Sequence, residues 1–74
     1  MKNIAIRGET IRLGQLLKVA NLVGTGGEAK ILIQAGEVKV NGCVEQRRGR
    51  QLRAGDTVET GGQSVRVTSQ PEKD

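Results

Sequence analysis

The seven residues VKVNGCV, at 38–44, constrain this chain more than any other stretch. Alternating residues flank Asn41-Gly42, and both of these tolerate the positive φ that a two-residue hairpin turn requires. The segment therefore predicts two short antiparallel strands. A hairpin alone is marginal in water, so the rest of the chain must supply further strands and a layer to cover them.

The covering layer is written upstream. Leu13, Leu16, Leu17, Ala20 and Val23 follow a helical period and make one apolar face. Thr10 is placed to cap this helix near Ile11, and Gly24 to end it. TGGE, at 25–28, has the form of a capping box. Its Thr25 hydroxyl can accept from the Glu28 N–H, and Glu28 can reach back to the Thr25 N–H. A second helix then carries Ala29, Leu32 and Ile33 on its apolar face and ends at Gly36. Ile31 falls on the opposite side, so either that side is covered too or a small apolar patch is exposed.

The remaining segments are strands and loops. NIAIR, at 3–7, alternates and is bounded by Gly8. EQRRGRQLRAGD, at 45–56, is basic, glycine-punctuated and read as a loop. TVET at 57–60 and SVRVT at 64–68 alternate around Gly61-Gly62-Gln63 and form a closing hairpin. The class is α+β, with a two-helix corner packed on a small, mostly antiparallel sheet of about five short strands. One domain spans 1–68, and 69–74 form a flexible polar tail.

Composition now decides which functions such a domain can serve. The chain has 74 residues, none of them His, Phe, Tyr or Trp, and a single Cys. Without His, the usual general base at neutral pH is missing, and no base–nucleophile arrangement replaces it. A lone Cys cannot build a structural zinc site. No enzyme activity, metal or cofactor is expected. Cys43 reads as a small semi-buried apolar residue in a reducing, cytoplasmic setting. No apolar run reaches the length of about 20 residues that spans a bilayer.

Charge points to a polyanion. Between Arg12 and Arg53 there are eight bases against three acids, whereas the rest of the chain is near neutral. GTGGEAK, at 24–30, suggests a phosphate loop, but Ala29 precedes Lys30 and Ile31 follows it. That departs from the P-loop pattern, and a helix stands where a dinucleotide fold needs a strand. The glycines fit a helix–helix corner. They also leave backbone N–H groups open at a helix start, where anions are attracted and Glu28 competes.

Arg12-Leu13, Ala29-Lys30-Ile31-Leu32-Ile33 to Gly36, Val38-Lys39-Val40-Asn41-Gly42 and Gly55-Asp56 occur in one order. This set, over residues 11–60, resembles the S4 RNA-binding domain, the alpha-L RNA-binding motif type. The resemblance implies a non-catalytic, ribosome-associated protein that binds structured RNA, ribosomal RNA or tRNA. Ribosomal proteins are further candidate partners; the sequence itself leaves oligomeric state open but demands no dimer, so a monomer is expected. Many family members place Ser-Arg at the second helix start, where this chain has Thr25-Gly26. The implied contacts are then Arg12, Gly26, Gly27, Lys30 and Lys39.

Arg47, Arg48 and Arg50 add a cluster that repels itself unless a polyanion is near. The alternative for that cluster is a solvated loop. Lys18, opposite the apolar face of the first helix, reads as a solvated charge, and Asn41 and Asp56 as turn residues. With no aromatic ring for bases to stack on, the composition suits contacts to phosphates and 2′-hydroxyls of folded RNA. The competing function is a protein-interaction module with weak RNA affinity.

Overall fold

The computed structural model describes residues 1–70. Strand β1 (Lys2–Ile6) and a two-residue strand β2 (Ile11–Arg12) precede helices α1 (Leu13–Val19) and α2 (Gly26–Gln34). Strands β3 (Lys39–Val40), β4 (Cys43–Val44), β5 (Gln51–Leu52), β6 (Thr57–Thr60) and β7 (Gln63–Ser69) follow. Five strands form one sheet in the order β1-β7-β6-β3-β4, and β2 pairs with β5 separately. Among the described residues only the β1–β7 pairing is parallel. The α+β class and the mostly antiparallel sheet are as expected.

The β3–β4 hairpin turns on Asn41 at φ 51° and Gly42 at φ 84°. Asn41 also ties this turn to its neighbour. Its Oδ1 accepts from the Thr57 N–H at 2.9 Å, and its Nδ2 donates to Asp56 Oδ1 at 3.0 Å. Asp56 accepts from the Arg53 N–H at 2.8 Å. These bonds hold the Asp56 carboxyl below its ordinary range, the Asn41 side chain contributing most. Both residues serve turns, as their types suggest.

One aliphatic core lies between the helices and one face of the sheet. Leu13, Leu16, Leu17, Ala29 and Ile33 meet Val38, Val40, Leu52, Val58 and Val67, all buried. Alternation along β1 and β7 turns Ile4, Ile6, Val65 and Val67 inward and leaves Asn3, Ala5 and Arg66 exposed.

Helix α1 departs from expectation at both ends. Thr10 does not cap it. Ile11 and Arg12 are instead drawn into pairing with Leu52 and Gln51, and Arg12 becomes an N-cap without a side-chain bond. The helix stops at Val19, before Gly24. Asn21 takes φ 63°, and Asn21 and Leu22 N–H groups close on the carbonyls of Lys18 and Leu17 at 3.0 Å each. That is a Schellman stop, with Asn in the left-handed position. Val23 remains buried in the exit segment.

Helix α2 follows expectation more closely. Thr25 caps it by accepting from the Glu28 N–H at 3.1 Å, and Gly36 ends it at φ 77°. The reciprocal bond from the Thr25 N–H to the Glu28 carboxylate is absent among the described residues. Ile31 is 69% exposed.

Three smaller readings change. Cys43 is exposed, because β4 is an edge strand on which both residues are open to solvent. The β6–β7 turn is Gly61-Gly62, with Gln63 already paired to Thr60. Strand β7 takes in Ser69, and the Gln70 N–H donates to Ile6 O at 3.0 Å. Residues 71–74 of the expected tail lie outside the described residues.

Candidate nucleic-acid interface

The basic segment after β4 is not a free loop. It begins where the Glu45 N–H donates to Val38 O at 3.0 Å, and it ends in β5 with Leu52 fully buried. Between these anchors it crosses the start of α1. The Leu13 N–H donates to Arg50 O at 2.8 Å and the Gly14 N–H to Arg48 O at 3.1 Å. The loop backbone thus does for α1 what a capping side chain would do. The approach is close because residue 14 is glycine. A Cβ there would stand 2.7 Å from Arg48 Cγ.

Arg47 and Arg50 do not wait for an external anion. Glu45, buried at 8% exposure, takes both. Its carboxylate accepts from Arg47 Nε at 3.1 Å and Nη2 at 3.2 Å, from the Arg47 N–H at 3.2 Å, and from Arg50 Nη1 at 3.1 Å. Bidentate arginine–carboxylate bonding is among the stronger pairings. It holds the Glu45 carboxyl down to about 2, the Arg47 side chain contributing most and burial opposing. The expected self-repulsion of three guanidiniums is therefore corrected: two of them share a carboxylate of their own chain.

Arg48 has no such partner among the described residues. It lines a concavity of about 510 Å³ together with Arg12, Lys18, Gly14, Gly26 and Gly49. Every charged residue of that lining is a cation. Arg12 arrives from the β2–α1 junction, Lys18 from α1, Arg48 from the loop and Gly26 from the start of α2. A Cβ at Gly26 would meet nothing, and one at Gly27 only Thr25 Oγ1 at 3.8 Å. The Glu28 carboxylate leans back toward Gly24, where a Cβ would stand 3.1 Å from Oε1.

The sequence-derived site residues are thus divided. Arg12, Gly26 and Arg48 share the concavity, with Arg47 and Arg50 held beside it by Glu45. Gly27 follows Gly26 on the first turn of α2, outside the lining, and Lys30 is exposed farther along the helix. Lys39 lies in a separate depression with Glu37 and Glu59. The lining also holds Lys18, Gly14 and Gly49, and Glu45 stands behind Arg47 and Arg50, none of which the residue pattern singles out as contacts. A glycine in the first turn of a helix costs stability, so Gly14 was a readable sign of close approach. One acid before three arginines was a sign as well. Lys18 carried none, because the loop reaches its side of α1 only in the folded chain.

The described residues hold no cluster of three potential metal ligands and no helix long and apolar enough to cross a membrane. What they define is a small α+β domain with a cationic concavity at a two-helix corner. Residues 4–68 match the model of the S4 domain, and the chain belongs to that family.

Its relatives are of similar length. It is 48% identical over 59 residues to "Probable ribosome maturation protein RlbA" of Bacillus subtilis (strain 168), covering 80% of this chain and 83% of that one. It is 42% identical over 59 residues to YbcJ of Escherichia coli (strain K12), covering 80% and 84%. The solution structure of YbcJ, described as revealing an αL motif involved in RNA binding, superposes with a TM-score of 0.65 at 37% identity, covering 92% of this chain and 85% of that one. The 30S ribosomal protein S4e of Thermoplasma acidophilum shares the fold, with a TM-score of 0.61 at 22% identity, over 80% of this chain and 31% of that one.

Proposed function

We propose that this protein is a non-catalytic, cytoplasmic RNA-binding factor. It grips the phosphates of a structured RNA, ribosomal RNA first, and serves ribosome maturation. The observation that carries the reading is the meeting of Arg12, Lys18 and Arg48 around a glycine-lined concavity, with no carboxylate in its lining. Cations gathered with no ion-pair partner among the described residues repel one another, and a phosphate run relieves that. Gly26 leaves the first turn of α2 bare, so an RNA backbone can approach its N–H groups. The names of RlbA and YbcJ's solution structure support a ribosomal setting and RNA as the ligand.

The chain has no aromatic ring, so recognition runs through shape and backbone and not through base stacking. The test is a titration of end-labelled ribosomal RNA fragments at two salt concentrations. The expected result is a preference for folded fragments, with log K falling against log salt at a slope of about −3 to −5. Equal binding to folded and unstructured fragments with a shallow slope would contradict it.

A second reading draws on Ile31, 69% exposed on α2, and Val44, 55% exposed on the edge strand β4. On it the protein is an interaction module, and its partner survives nuclease treatment.

A further inference from the structure

Glu45 is an acid set inside the most basic stretch of the chain. For a polyanion binder that is the wrong sign, unless the carboxylate does something the arginines cannot do alone. Its geometry shows what. Arg47 closes on it with Nε and Nη2 as a fork, at 3.1 and 3.2 Å, and the Arg47 N–H adds a third bond at 3.2 Å. Arg50 adds a fourth from Nη1 at 3.1 Å. The carboxylate is buried, yet the Arg47 side chain remains 77% exposed. Its fork uses two of five guanidinium N–H donors, so the rest stay available.

The same clamp fixes the backbone on either side of Arg48. Arg47 is held through both N–H and side chain, and the Arg50 N–H donates to Arg47 O at 3.2 Å. Arg48 then stands at the crown of a closed turn, against Gly14 and over the concavity.

We propose that Glu45 is the positioning residue of the RNA-binding loop: it locks Arg47 and Arg50 into one arrangement and thereby aims Arg48 into the concavity. This rests on the RNA reading above. A loop ordered in advance does not have to be ordered by the RNA. Glu45 strengthens binding in spite of its charge.

The sign of the effect makes the test. Glu45→Gln removes a negative charge, so a bystander Glu45 gives tighter RNA binding in the variant. The proposal gives the reverse, about tenfold weaker binding, measured on end-labelled ribosomal RNA fragments with folding checked by circular dichroism. Arg47→Gln is then made alone and in the Glu45→Gln background. If Glu45 acts through Arg47, the loss caused by Arg47→Gln shrinks to that of a single phosphate contact once Glu45 is gone. A role confined to stability leaves that loss the same in both backgrounds.

Should Glu45→Gln fail to fold, Arg47→Gln alone decides. It opens one side of the clamp, so the salt slope falls by more than the ~0.7–0.9 of one phosphate contact, and a fall of one contact or less overturns the proposal. Binding by Glu45→Gln as tight as wild type, or tighter, overturns it and leaves the RNA reading standing. Failure of the wild type to prefer folded RNA overturns both.

Discussion

Helix α1 begins beneath a loop, whereas α2 begins beneath a single hydroxyl. At the start of α1, the carbonyls of Arg50 and Arg48 take the N–H groups of Leu13 and Gly14. At the start of α2, Thr25 takes the N–H of Glu28, and beside Gly26 there is open space. Both helix starts carry the same partial positive charge. The chain closes one of them with its own backbone, and in doing so sets Arg48 beside Arg12 and Lys18 in the concavity that reaches the other. Closure at α1 builds the wall, and openness at α2 leaves the floor bare.

The comparison breaks most severely at Leu52. This side chain is fully buried on β5 and anchors the far end of the loop. Leu52→Ala is expected to cost about 2–5 kcal/mol, a large share of a small domain's stability. Urea unfolding followed by circular dichroism checks this, since no aromatic residue is present to fluoresce.

Gly14→Ala strikes the same closure more locally. The new Cβ meets Arg48 Cγ at 2.7 Å but the Arg48 carbonyl only at 3.7 Å, so the Arg48 side chain must swing away, at a cost of about 1–3 kcal/mol. RNA binding weakens although no charge is lost. If Gly14→Ala binds RNA as wild type does, the seat of Arg48 against Gly14 is not what aims it at the RNA.

Acid acts on the clamp beside that cap. The Glu45 carboxyl titrates near 2 in the folded chain against an ordinary value of 4.5, so its contribution is whole above about pH 4.5. It is lost as pH falls from there through 2, and Asp56 adds in the same direction. Thermal melts between pH 7 and 2 should fall in that window, and Glu45→Gln should flatten the fall.

The smallest effect sharpens the other side. Gly26→Ala places a methyl in open space on a helical residue, so the fold gains roughly 0.5–1 kcal/mol. RNA affinity falls, because that space is where a phosphate comes in. A variant that is more stable and binds equally well would show that the glycine serves only the corner.

What could be read from the residues follows the same divide. Asn41-Gly42, Thr25 and Gly36 were legible because each answers a local demand: positive φ in a turn, a hydroxyl at a helix start, a left-handed helix stop. The ends of α1 were not. Thr10 has the right chemistry for a cap, but Ile11 and Arg12 pair with strand residues about 40 positions away, and no local pattern shows that. The parallel pairing of β1 with β7 joins the two ends of the described chain and is equally silent. At the site, charge density pointed to Arg12 and Arg48. Counting like charges did not reveal that Glu45 would take Arg47 and Arg50, or that Lys18, judged on one helix alone, would face the crossing loop.

The most direct measurement compares the salt dependence of RNA binding for wild type and for the combined change Arg12, Lys18 and Arg48→Ala. These three residues make no ion pair among the described residues, so the fold should persist. The concavity predicts a much weaker affinity and a slope shallower by about 2 to 3, the release expected of three phosphate contacts. An unchanged slope, with affinity lost instead when Lys30 and Lys39 are replaced, would place the RNA elsewhere and contradict the account.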